Sequence, residues 1–273
     1  MIKFFRHIRY NLMEQNKTGK YFKYAIGEII LVVIGILIAL QVSNWNEERK
    51  QRAQIATYAK ALVADLKEDI KKVKIIKRQA RVSHLVLDSL TNYSRNLDIK
   101  EMTNFDLFIL SIDDGYKPFS WNRASFEEIK SSGVLNYFKN DSLVNLLVKY
   151  EAFTKHMDLD YQQDIEAKLD ARRLMRKVVN YNYKYDRILT IVKFDNDDSL
   201  RIKDYSNIKG FIAMKQQKID FIDRDRAKLD EAINAYVELK SYLKVRYNAE
   251  LPRLIKDAEK IIQILEDNFI KSY

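Results

Sequence analysis

Residues 24–50 read YAIGEIILVVIGILIALQVSNWNEERK, and in the first 19 of them, Tyr24 to Val42, the only polar members besides Tyr24 are Glu28 and Gln41. At 1.5 Å per helical residue such a run spans about 28 Å, close to the roughly 30 Å hydrocarbon core of a bilayer. Tyr21, Phe22 and Tyr24 flank one end and Trp45 the other, the places where amphipathic rings favour the headgroup level. A buried core helix usually runs shorter. A cleaved signal peptide needs a small-x-small site, and the polar stretch after Leu40 offers none. The reading is a retained signal anchor.

The charge pattern on either side sets an expected orientation. Residues 1–24 carry Lys3, Arg6, Arg9, Lys17, Lys20 and Lys23 against Glu14, a net of +5, while the chain as a whole carries +10. Half of the surplus therefore precedes the apolar run, which argues for membrane topology and against nucleic acid as a partner. Six Lys or Arg lie in the 23 residues before Tyr24 and four in the 20 after Val42. The N-terminus is expected in the cytoplasm and the bulk of the chain outside it. Phe4, Phe5, Ile8, Leu12 and Met13 recur at helical spacing, so the leader can also be a short helix lying in the headgroup layer.

Composition decides the rest of the fold. The 273 residues include 6 Gly and 2 Pro, where average usage would supply roughly 19 and 14. Sheet and βαβ folds spend those residues on turns and phosphate loops, so the chain is expected to be all-α, with few and long helices. With 0 Cys, disulfides, thiolate metal sites and thiol nucleophiles are excluded.

Downstream of Trp45, Ile55, Ala59, Leu62, Leu66, Ile70, Val73, Ile76, Leu87, Leu90 and Leu97 mark one helical stripe, and no Gly or Pro interrupts it between Gly35 and Gly115. The prediction is one N-terminal transmembrane helix continuing into an elongated antiparallel bundle of long helices. Residues 98–141 are read as a short-helix cap at its tip, with helices over 103–112 and 126–132 started by capping boxes at Thr103 and Ser125. A second long helix is expected from Asn140 or Asp141 to about Lys193, and a third from about Ile208 through Leu243. Pro252 is expected to kink or restart the last segment, 254–270. In domain terms, 1–23 is the leader, 24–42 the span and 43–273 the extracytoplasmic bundle.

The run YAIGEIILVVIGILIALQVSNWNEERK after a basic leader resembles the N-terminal signature of an uncharacterised bacterial family of single-span membrane proteins, a domain of unknown function. SFEEIKSSGVLNYFKNDSLVNLLVKYEAF, Ser125 to Phe153, is similar to that family's other recurring pattern. The resemblance implies a bacterial inner-membrane protein with a helical periplasmic part. It implies no activity, catalytic residue or ligand.

Motifs for chemistry are scarce. His7, His84 and His156 form neither HExxH nor an ExxH pair, so no metal site is expected. Asp195, Asp197 and Asp198 depart from the calcium-loop pattern, which needs Gly where Leu200 stands and Glu where Ser206 stands. There is no nucleophile elbow, P-loop or dinucleotide fingerprint. Catalytic residues and cofactors are expected to be none, and the protein is not expected to be an enzyme. Tyr181, Tyr183 and Tyr185 alternate with Asn182 and Lys184 and are read as packing at a bundle end. Trp121, in the Pro- and Gly-bearing segment, is the candidate for ligand or partner contact.

Glu28 is the one charge in the span. It either takes part in function or lies close enough to Tyr24 to reach the interface. Gly35 lies seven residues on, nearly on the same helix face, and Ala39 follows as a small-xxx-small partner. Glu28, Gly35 and Ala39 are therefore the candidate helix–helix interface, and the expected partners are the bilayer and either a second copy or another transmembrane protein. The leading function is a membrane-anchored module for binding, sensing or scaffolding. The alternative is a subunit of an ion- or proton-coupled membrane complex that uses Glu28.

Overall fold

The computed structural model describes residues 10, 18–112, 116, 119–184, 192–194, 200–202 and 209–271. Most of the leader, Asp195, Asp197 and Asp198 of the acidic loop, His7 and Tyr185 lie outside the described residues. The elements are helix α1 (Thr18–Asn96), α2 (Asn104–Ser111), α3 (Ala124–Ser131), a 3₁₀ turn (Val134–Phe138), α4 (Asp141–Met175), a ribbon of β1 (Val192–Phe194) and β2 (Leu200–Ile202), α5 (Lys209–Lys215), α6 (Arg226–Val245) and α7 (Leu251–Leu265). A π segment, Arg246–Glu250, joins α6 to α7, and a second one, Glu266–Ile270, follows α7. The fold is all-α, with one short antiparallel ribbon paired Val192 to Ile202 and Phe194 to Leu200.

Contacts divide the chain into two compact units, 1–58 and 59–273. In the first, the large apolar side chains from Ile29 to Val42 are all exposed, at between 47% and 63%. Among the described residues, the helix that carries them is long and apolar enough to cross a membrane. A surface of this kind is what lipid, not water, accommodates.

The second unit is a bundle built on three long stripes. From α1 come Leu62, Leu66, Val73, Ala80, Leu87 and Leu90, from α4 Leu143, Leu147, Met157, Ala171 and Met175, and from α6 and α7 Leu229, Ile233, Tyr236, Leu243, Leu251, Leu254, Ile261 and Leu265, all buried. Pairings set the directions. Lys67 meets Glu266, Asp88 meets Lys240 and the Leu97 carbonyl meets Arg226, so α1 runs antiparallel to α6–α7. Phe153 lies under Arg253, and Asp164 pairs with Arg246, so α4 is also antiparallel to α6–α7. Helices α1 and α4 are therefore parallel to each other.

That arrangement changes the role of residues 98–141, which the sequence reads as a cap on the tip. A parallel pair needs a return connection, and this segment supplies it by running back along the bundle. It begins beside the end of α4, where Asn104 donates to the Asn180 carbonyl and accepts from the Asn180 N–H. It then passes Asp69 and Asp158 at Trp121 to Arg123 and ends with Phe138 against Phe269.

Three boundaries also differ from expectation. Thr103 caps α2 as predicted, accepting from the Asp106 N–H and donating to the Asp106 carboxylate, but α3 starts at Ala124 with Arg123 at the cap position, so the Ser125 box is not used. Tertiary bonds win there, because the Asn122 N–H is held by Asp69 and Arg123 by Asp158. Gly133, at φ 74 in the left-handed region, then ends α3. Helix α4 stops at Met175, not near Lys193. The Val178 carbonyl accepts from the Ile222 and Asp223 N–H groups, and Tyr181 and Tyr183 then alternate with Asn182 so that their rings pack on Phe108. The expected third helix is split into α5 and α6, because Asp225 caps α6 by accepting from the Ala227 and Lys228 N–H groups.

The register of α4 has a direct test. Met157 is fully buried and Leu159, two residues on, is 70% exposed. Met157→Ala should cost about 2–5 kcal/mol in denaturant unfolding, and Leu159→Ala should stay within about 0.5 kcal/mol.

Candidate functional site

Helix α4 is the polar hub of the second unit. It buries Glu151, Thr154, Asp160 and Asp164 among its apolar residues, and each of its inward carboxylates has a basic partner from another element or the next turn. Glu151 takes Lys155 at 2.7 Å and Lys130 at 3.5 Å. The Lys155 bond holds the Glu151 carboxyl below its ordinary value. Asp158 accepts from Arg123 at 2.7 Å and from the Trp121 Nε1–H at 2.8 Å. These contacts fasten the return segment to the helix.

At the centre of the hub is Arg246, whose side chain is 5% exposed. The stripe Leu239, Leu243 aims it at α4 at the start of the π segment. Its Nε and Nη2 donate to the two oxygens of Asp164, each at 3.1 Å, a bidentate pair. Its Nη1 donates to Glu250 Oε2 at 2.7 Å and stands 3.4 Å from Asp160 Oδ2. The Tyr116 hydroxyl donates to Asp164 Oδ2.

Burial pushes the Asp164 carboxyl up from its ordinary value, while Tyr116 and Arg246 pull it back. Burial also lifts Asp160, with Arg246 opposing and Glu250 adding to the rise. For Arg246 burial works against the charge, but the Asp164 and Glu250 carboxylates more than restore it. The Tyr116 hydroxyl is raised by burial and by Asp164, with Arg246 opposing, so it keeps the proton that it donates to Asp164.

On the rim, His156 Nε2 lies 3.3 Å from Asp160 Oδ2, one helical turn apart. Donor atoms of His156, Asp160 and Glu250 all lie within 4.8 Å of one another. His156, Asp160 and Glu250 match neither HExxH nor ExxH, so these sequence patterns do not bring them together. The spacing His156-x-x-x-Asp160 was the available signal, because residues four apart share a helix face. Glu250, 90 positions further on, is linked by local spacing to Arg246 and not to His156 or Asp160. Beside the cluster a cavity of ≈ 20 Å³ is lined by Tyr116, Tyr161, Asp164, Lys168, Leu239 and Leu243 among others. That is room for one water and not for an organic ligand.

The residues singled out from sequence fall in both units. Glu28 is half-buried on α1. Gly35 has no heavy atom within 4 Å of a Cβ built on it, and Ala39 is exposed. All three lie on nearly one face of the same helix. Trp121 belongs to the second unit, where its ring stacks on Phe119 at 5.1 Å and 16° and its N–H is committed to Asp158. His84 is likewise committed, its Nδ1–H donating to the Lys240 carbonyl at 3.0 Å.

An exposed apolar helix of membrane-spanning length and a bundle with a buried ionic hub define a helical protein with a candidate membrane anchor. Residues 28–217 match a family described as "Family of unknown function (DUF6090)", and the chain belongs to that family. The match takes in the whole of Ser125–Phe153 and begins inside the first quoted stretch, at Glu28. No curated protein and no solved structure matches the chain.

The hub predicts a non-additive pair. Arg246→Met should cost about 3–5 kcal/mol in urea unfolding because it leaves buried carboxylates uncompensated, and the double variant Arg246→Met, Asp164→Leu should cost less than that single one.

Proposed function

We propose that this protein is a single-span membrane-anchored module, with its N-terminus in the cytoplasm and residues 43–273 outside it, that binds, senses or scaffolds and carries out no covalent chemistry of its own. The observation behind this is the first unit's surface, where Ile29, Leu37, Ile38 and Val42 stand about 60% exposed around the helix. Water penalises such a surface and a bilayer accepts it. The Lys and Arg excess before Tyr24 supports the orientation. For a bacterial protein, this orientation corresponds to a span in the inner membrane and a bundle in the periplasm. The return segment, fastened along α4 by Arg123 and Trp121, supports a rigid bundle that presents a surface, the property a binding or scaffolding module needs.

The seam Glu28, Gly35 and Ala39 is the part of the span suited to a second helix, either another copy or a different transmembrane protein. Small residues let two backbones approach, and a carboxyl group can share a hydrogen bond across the contact. The second reading, a subunit of an ion- or proton-coupled complex, draws on Glu28 being the one charged residue between Tyr24 and Val42.

Two measurements test these readings. A reporter enzyme that works only outside the cytoplasm, fused after Tyr273, should be active, and activity of a cytoplasm-only reporter at that site would reverse the orientation. Gly35→Leu should weaken association in a membrane two-hybrid assay, with Glu28→Gln milder. If neither Gly35→Leu nor Glu28→Ala changes association, the span is a plain anchor.

A further inference from the structure

Asp160, Asp164 and Glu250 are three carboxylates around one guanidinium. Arg246 spends Nε and Nη2 on Asp164 and the Nη1 hydrogen bond on Glu250. Asp160 is 7% exposed, and its Oδ2 is shielded from solvent without accepting a hydrogen bond. Its neighbours are Arg246 Nη1 at 3.4 Å and His156 Nε2 at 3.3 Å.

The second distance is informative. Two ligands of a tetrahedral ion with bonds near 2.0 Å stand about 3.3 Å apart. The helix therefore already sets an imidazole nitrogen and a carboxylate oxygen at the spacing of one coordination edge. Glu250 supplies a third donor within 4.8 Å from the π segment. His156 is 55% exposed, so the site has an entry path from solvent. The Phe153 ring, 6.0 Å away and tilted by 32°, flanks the imidazole.

We propose that His156, Asp160 and Glu250 form a binding site for a divalent first-row transition ion, for which Zn²⁺ is the suitable probe. One imidazole with two carboxylates favours such an ion over Ca²⁺ or Mg²⁺, which take oxygen ligands. Arg246 then orients Glu250 as an outer partner of the site. The site tethers α4 to the α6–α7 junction, so occupancy stabilises the bundle.

The test uses the full chain, purified in detergent, stripped with a chelator and titrated with Zn²⁺ by calorimetry. The expected result is one saturable ion per chain, a raised unfolding temperature and no competition from excess Ca²⁺. His156→Ala should weaken binding by about ten-fold or more while leaving helical circular dichroism unchanged, because the side chain is exposed. His84→Ala should leave binding unchanged. Equal Zn²⁺ affinity in His156→Ala and the unmodified chain would overturn the proposal, as would weakening by His84→Ala to the same degree. A protein that takes up no Zn²⁺ would overturn it as well.

Discussion

A guanidinium cannot shed its charge, so a buried one dictates what surrounds it. Arg246 meets this demand with a bidentate carboxylate, a second carboxylate on its own helix and a third within ion-pair distance. Removing water from such a group costs several kcal/mol, returned only if geometry and pairing are good. The consequence is positional. Asp164 sits about two-thirds of the way along α4 and Arg246 at the junction of α6 and α7, so satisfying the charge fixes the longitudinal register of the two elements. Apolar stripes alone would tolerate a slip of one turn; a fork on a carboxylate does not.

The same bond reaches the return segment. Tyr116 donates to the Asp164 oxygen that also accepts from Arg246 Nε, which ties the chain beyond α2 to the hub. Further along, the Asn122 N–H on Asp69 and Arg123 on Asp158 continue the attachment to α1 and α4 in turn. Burial raises Asp69, and the Asn122 bond works against that rise. The segment also buries Phe105, Leu107, Phe108, Phe126, Ile129 and Phe138, so apolar packing and polar contacts on both sides hold it together. Its placement follows from contacts with residues distant in sequence, polar and apolar alike, which explains why local patterns misjudged it.

Legibility in the sequence tracked the range of each interaction. The unbroken stripe of α1, the caps at Thr103 and Asn140 and the apolar run at 24–42 are local, and all were readable. The all-α class followed from six glycines and two prolines. The end of α4 was not readable by helix period, because Val178 is held by backbone bonds from Ile222 and Asp223, over 40 residues away. A period-2 signal was present in Tyr181, Asn182, Tyr183, and it is the extended segment that packs both rings on Phe108. Of the hub, the His156-x-x-x-Asp160 and Arg246-x-x-x-Glu250 spacings are local. The convergence on Arg246 depends on the antiparallel pairing of α4 with α6–α7.

Pro252 and the π segment complete the logic of the hub. Along α6 the buried positions step by three or four, through Leu229, Ile233, Tyr236, Leu239 and Leu243, and along α7 through Leu251, Leu254, Ala258, Ile261 and Leu265. Between Leu243 and Leu251 the step is eight, which an α-helix would turn about 80° out of phase. Arg246 divides it into three and five, and a step of five is one π turn. The Leu251 N–H accordingly bonds the Arg246 carbonyl five residues back. One extra residue keeps the apolar stripe facing the core, and the widened turn gives way to α-helix again just ahead of Pro252, which has no N–H to donate and a ring that crowds the preceding turn. Arg246 is the buried position immediately before that extra residue, and Glu250 is carried round to the same side at its end. The irregularity that accommodates a proline thus also places the charge and its second carboxylate, so two features that look independent in sequence share one local cause.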